Sequence, residues 1–173
     1  MVTTSHPVFD DRARNRLARS LLLLRLGIAA VFLMWTIDKF VNPGHAAKVF
    51  EKFYKIPALS SSLSYLVGAV QMVLILALIT GTFRTWTYGI ILLLHAISTF
   101  SSWKNYLDPW TYPNLLFFAA IPMLAACVAL WSLREFDTIS VDGCQATDEL
   151  NDQRNEQRNE QRNEQPTTTD DAV

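Results

Sequence analysis

Cysteine is scarce in this chain. There are two in 173 residues, too few for a disulfide framework. Cys127 lies inside an apolar run, Cys144 lies beyond its end, and there is no C-x-x-C, which counts against thiol exchange as the chain's own reaction. Charge is absent over long stretches. Between Lys55 and Arg84 lie 28 uncharged residues, between Arg84 and Lys104 another 19, and between Asp108 and Arg134 a further 25. A bilayer-spanning helix needs roughly 20 mostly apolar residues, so three such stretches exclude a soluble globular domain. A net charge of -1 gives no reason to expect nucleic-acid binding. The sequence also lacks a Ser-His-Asp order, a phosphate loop and a metalloprotease motif. His95 has no second His or Cys nearby to make a metal site, and no axial pair for haem is present. No metal and no required cofactor are therefore expected, and the chain leans away from being an enzyme.

What is present is an all-α pattern: a polytopic four-helix membrane bundle with a short interfacial amphipathic helix after the first span. Residues 1–19 are polar and carry Arg12, Arg14, Arg16 and Arg19. The first span covers 20–41. It reads as retained rather than as a cleaved signal, because Arg25 splits it and bulky Phe32-Leu33-Met34-Trp35 stands where a cleavage site needs small residues. Asn42-Pro43-Gly44 then breaks the helix. In residues 46–54 the side chains of Ala46, Val49, Phe50, Phe53 and Tyr54 share one helical arc, with Lys48, Glu51, Lys52 and Lys55 opposite. Nine residues reach only ~14 Å, so this helix lies in the interface or caps the bundle. Ile56-Pro57 ends it, and Ser60-Ser61-Ser62 offers N-caps for a second span over 63–80, stopped by Gly81. A third span is expected over 85–102 and a fourth over 114–133, kinked at Pro122, with an aromatic-rich loop between them.

Residues 135–173 form a polar tail in which QRNE occurs three times over Gln153–Glu164. The repeat keeps Arg and Glu in helical register. With no apolar residue between Asn151 and Thr169 to bury, however, disorder is the expectation. Counting cations near span ends sets Arg12, Arg14, Arg16, Arg19, Arg84 and Arg134 against Lys48, Lys52, Lys55 and Lys104. Both termini are therefore expected in the cytoplasm.

Ionisable groups at membrane depth are expensive, roughly 2.5–3.5 kcal/mol for a charge at the centre. Arg25 lies one to two turns inside the cytoplasmic end, within reach of phosphates, and reads first as an anchor. His95 falls at the midplane of the third span. Ser98, Thr99 and Ser102 follow it and Tyr88 precedes it on the same polar stripe, while Gln71 is near mid-depth in the second span. Lipid offers these groups no partner, so they should face into the bundle, His95 near Gln71. Two readings are open. The stripes are polar glue between helices, or Asp38, Gln71, His95 and Thr99 line a site where a proton passes or a quinone carbonyl is bonded.

The sequence resembles the DoxX-like family of small bacterial four-helix membrane proteins. The likeness rests on Leu24-Arg25-Leu26-Gly27, Phe32-Leu33 and Asp38-Lys39-Phe40. It continues through the short helix ending Ile56-Pro57 and the Pro122-containing last span with its Leu133-Arg134 exit. It covers roughly residues 22–135, with Trp35-Thr36-Ile37 where the family often has Gly. Arg25 and Lys39 are the positions that match the family motif. The resemblance implies a bacterial cytoplasmic-membrane protein that is a non-catalytic subunit or adaptor of a quinone-linked oxidoreductase complex. Its partners would be the lipid bilayer, membrane or cytoplasmic oxidoreductase subunits, and quinone. A small-solute or proton transporter is the alternative.

Overall fold

The computed structural model describes residues 11–54 and 60–164. The expected stop at Ile56-Pro57, Lys55 of the short amphipathic helix, and residues 1–10 and 165–173 lie outside the described residues. The described chain is all-α and has no strand. Helix α1 spans Asp11–Val41 and α2 spans Pro43–Val49, continuing as a π-helical turn over Phe50–Tyr54. Then come α3 (Ser61–Thr80), α4 (Arg84–Ser101) and the short α5 (Trp103–Leu107). A 3₁₀ segment over Asn114–Ala119 leads into α6 (Ala120–Ser132), and α7 covers Val141–Glu164.

Local chemistry explains most of these boundaries. Ser60 caps α3, its hydroxyl accepting from the Leu63 N–H at 3.2 Å. Gly81 ends α3 in the left-handed region at φ 71°, where its N–H reaches the Ala77 and Leu78 carbonyls. Pro122 produces a change of helix type rather than a mid-span kink. It falls in the first turn of α6, just after the 3₁₀ segment, where a missing N–H is tolerated. The amphipathic arc of 46–54 holds: Ala46 is buried and Phe53 packs on Phe117 with ring centroids 5.7 Å apart, while Lys48, Glu51 and Lys52 are exposed.

The bundle pairs α1 with α3 and α4 with α6, and α1 also lies against α6. Near the loop end, Phe40 stacks on Tyr65 at 6.2 Å and passes over Gly68, where a Cβ would come within 2.9 Å of the Phe40 ring. The apolar core sits in the opposite half, the tail end, where Leu21, Ile28, Ile75, Leu78, Ile91 and Leu130 are buried. Leu23, Leu66, Val73, Phe100 and Leu116 point outward, as lipid-facing residues do. Among the described residues three helices are long and apolar enough to cross a membrane: Arg12–Val41, Ser61–Thr80 and Asn114–Ser132. Helix α4 is not one of them by composition, because its polar stripe lowers its hydropathy.

Over Val141–Glu164 the described part of the tail is helical, where the sequence leads one to expect disorder. Helix α7 runs unbroken through the QRNE repeat, and its described side chains from Cys144 to Glu160 are exposed. Nor does the register favour this helix locally. A four-residue repeat sets like charges one turn apart, Arg154 with Arg158 and Glu156 with Glu160, which is mildly repulsive.

Candidate functional site: a buried charge cluster at the tail end

Arg25 does not snorkel to the surface. Its side chain is 2% exposed and points into the bundle, correcting the anchor reading. One Nη donates to the Asp137 carboxylate at 2.7 Å and to the Tyr88 hydroxyl at 3.1 Å, and the other donates to the Ile139 carbonyl at 2.8 Å. Tyr88 in turn donates to the same Asp137 oxygen at 2.6 Å. Three segments far apart in sequence thus meet on one carboxylate oxygen, and Asp137 is fully buried. The Arg25 Nε and the second Asp137 oxygen are buried without a partner. An unpaired charge here would be severely destabilising, and the pairing offsets part of that desolvation penalty.

The backbone around the cluster is shaped to admit it. Gly81 lies so close to the Arg25 guanidinium and Ser140 that a Cβ would collide with both, and its positive φ disfavours any side chain. Phe83 follows in the left-handed region at φ 50°, an uncommon conformation for an aromatic residue. What holds this turn comes from the tail. The Asp142 carboxylate accepts from the N–H groups of Phe83 and Arg84 at 3.0 and 2.8 Å, capping α4 from 59 residues away in sequence. Arg84 reaches back to the Arg134 and Asp137 carbonyls at 3.0 and 2.9 Å. Ser140 donates to the Asp137 carbonyl at 2.7 Å and accepts from Gly143 N–H. The residues after the last span therefore fold back and close the tail end of the bundle.

The expected site residues each find a separate partner. His95 Nε2 lies 3.1 Å from the Ala120 carbonyl, and its ring meets Phe32 edge-on at 6.1 Å. Gln71 accepts from the Thr36 hydroxyl at 3.4 Å. Thr99 donates to the His95 carbonyl one turn back on its own helix. Asp38 pairs with His45 at 2.7 Å near the loop end, where the His45 side chain is 54% exposed. His95 and Thr99 are joined through the backbone, while Gln71 and Asp38 are engaged elsewhere. Lys39 is buried with its ammonium on the Trp35 carbonyl at 3.0 Å, and the Lys39 carbonyl accepts from Ser64 at 3.4 Å. At the loop end, burial of its hydroxyl raises the pKa of the Tyr106 phenol above its ordinary value. Among the described residues no three His, Cys, Asp or Glu side chains converge on a point that could hold a metal ion.

Sequence reasoning passed over Tyr88 as one member of a stripe and over Asp137 as ordinary tail. A signal existed: an arginine inside an apolar run needs a carboxylate, and Asp137 follows the last span at the same end of the bundle as Arg25.

The model of the methylamine utilisation protein MauE matches residues 17–107, more than half of the chain. The chain belongs to the MauE family. This overturns the DoxX resemblance. A charged residue near each end of a first span, a proline-terminated short helix and an Arg at the last exit suit small membrane bundles generally, so those motifs could not separate one family from another. No curated protein and no solved structure matches the chain. The MauE segment contains Arg25, Lys39, Gln71, Tyr88, His95 and Thr99, whereas Asp137 and Asp142 lie beyond it. Family membership and the apolar helices together make this a multi-pass membrane protein.

Proposed function

We propose that the chain is a four-span protein of the bacterial cytoplasmic membrane that serves methylamine utilisation as a non-catalytic accessory of its redox machinery. The observation that carries this is the MauE match over 17–107, which takes in the first span, the short interfacial helix and both α3 and α4. The fourth crossing is α4. Its inward face buries Thr87, Tyr88, Ile91 and Thr99, its outward face presents Trp86, Ile90, Leu93 and Phe100, and 18 residues reach ~27 Å. The tail end gathers Arg84 and Arg134 beside the Arg-rich start of α1, which supports cytoplasmic termini. The tail's ionic contacts tie Arg25, Tyr88 and the α4 N-terminus together, and such a rigid frame suits a scaffold that holds or orients other proteins.

Deleting the gene in a methylamine-growing host tests this. Growth on methylamine should stop, growth on a carbon source unrelated to amines should continue, and the intact gene should restore the first. Uptake of labelled methylamine should be unchanged while amine-oxidising activity falls. Unimpaired growth on methylamine would overturn the role, and lost uptake with normal oxidising activity would make the protein a transporter instead.

A further inference from the structure

Helix α7 carries its two signs of charge on two separate faces. At about 100° per residue, Arg154, Arg158 and Arg162 occupy one arc, and Glu149, Asp152, Glu156 and Glu160 occupy an arc roughly opposite. Within α7 no Arg has an acidic residue three or four positions away, so neither stripe is neutralised on its own helix. Two edges separate the stripes. One carries Asn155, Asn159 and Asp148. The other carries Gln153, Gln157, Leu150 and, at the last position of the helix, Glu164; Leu150 is 61% exposed, an apolar side chain in a helix otherwise polar beyond it.

We propose that α7 is a docking surface for a second copy of this chain, the two tails pairing in parallel through the Leu150, Gln153 and Gln157 edge. In a parallel two-fold pair the left flank of each helix lies beside the right flank of the other. Because the Arg and acidic stripes flank this edge on its two sides, each copy's Arg154 and Arg158 then lie beside its partner's Glu156 and Glu160, in both directions at once. Repulsion along each helix is offset by attraction between helices, as flanking charges do in coiled coils. The opposite edge, with Asp148, Asn155 and Asn159, offers no apolar side chain to bury, whereas Leu150 gives this edge one. Parallel pairing suits the anchoring too, since each α7 is tied at its start by Asp142 to the α4 N-terminus and both copies leave the same face of one membrane.

The test uses the full chain in lipid nanodiscs or native membranes with Cys144→Ser, since Cys144 is exposed and Cys127 is buried. Gln157→Cys should oxidise to a disulfide-linked dimer and Asn159→Cys, on the other edge, should not. Raising salt from low concentration to about 1 M shortens the Debye length to ~3 Å and should cut the Gln157→Cys yield by about threefold or more. In that background, Arg154→Glu with Arg158→Glu should abolish the crosslink, and so should Glu156→Arg with Glu160→Arg. Mixing these two variants should restore it between unlike chains. Equal crosslinking from both edges, yields indifferent to charge reversal, or failure of the mixture to restore the product would each overturn the proposal.

Discussion

Arg25 on the first helix and Asp137 beyond the last meet at 2.7 Å across 112 residues of sequence, with neither side chain more than 2% exposed. That contact closes the bundle into a ring of dependencies. The first span needs the tail to neutralise it, and the tail needs Arg25, Tyr88 and the α4 N-terminus to stay in place.

Removing one partner strands the other in a buried setting. Arg25→Met or Asp137→Leu alone should each destabilise the purified protein by about 3–5 kcal/mol. The double variant should recover most of that loss, because no buried charge is then left unpaired. Thermal unfolding in detergent for the four proteins of the cycle gives the coupling, and additive losses would show that the pair is not coupled. Tyr88→Phe removes both the bond donated to the carboxylate and the one accepted from Arg25, and should cost about 2–3 kcal/mol.

The two glycines of α1 and the α3 exit should respond in opposite ways to the same change. Gly81→Ala meets Arg25 and Ser140 and forces a side chain into φ 71°, so a loss exceeding about 1 kcal/mol is expected. Gly27 has open space around its Cβ position within a helix, so Gly27→Ala should be neutral or stabilising by up to about 1 kcal/mol. Melting temperatures measured side by side check the contrast, and equal effects would contradict it.

Replacing His95 by Leu deletes one bond to the Ala120 carbonyl. As interhelical glue, the residue should be worth about 1 kcal/mol or less, and methylamine-dependent growth should survive. A variant that folds and inserts normally but abolishes that growth would make His95 part of a working site with a proton or ligand to handle.

Truncation should show a sharp boundary. A chain ending at Cys144 keeps Asp137, Ser140 and Asp142 and should melt within about 1 kcal/mol of the parent, since the α7 side chains it loses are exposed ones. A chain ending at Phe136 loses every one of those contacts and should be strongly destabilised. Similar melting of both would mean that the tail closure contributes nothing.

Orientation can be read with a native probe. With the termini in the cytoplasm, an impermeant maleimide added to intact cells should label Thr111→Cys in the exposed loop after α5 and leave Cys144 unlabelled until the cells are opened. The reverse pattern would invert the topology.

Much of this protein is decided by short-range information. The length and spacing of apolar runs, Ser60 before α3, Gly81 after it, and the arc of Ala46, Val49 and Phe53 are each settled within a few residues, because helix propensity, capping and amphipathicity act over one or two turns. Helicity of the QRNE repeat was not legible in that way, since its neighbouring charges argue against it. The partner of Arg25 was decided only by tertiary structure. A charge in an apolar span announces that it needs a counter-charge, but nothing local says whether phosphate, solvent or a distant carboxylate supplies it. That choice went to Asp137 because α1, α4 and the α6 exit converge at one end of the bundle, where a buried pair can form and a lone charge cannot remain. His95, Gln71 and Asp38 show the same division. Their polarity marks them as residues that lipid will not tolerate, while the packing of the helices gave each its own partner: Ala120, Thr36 and His45.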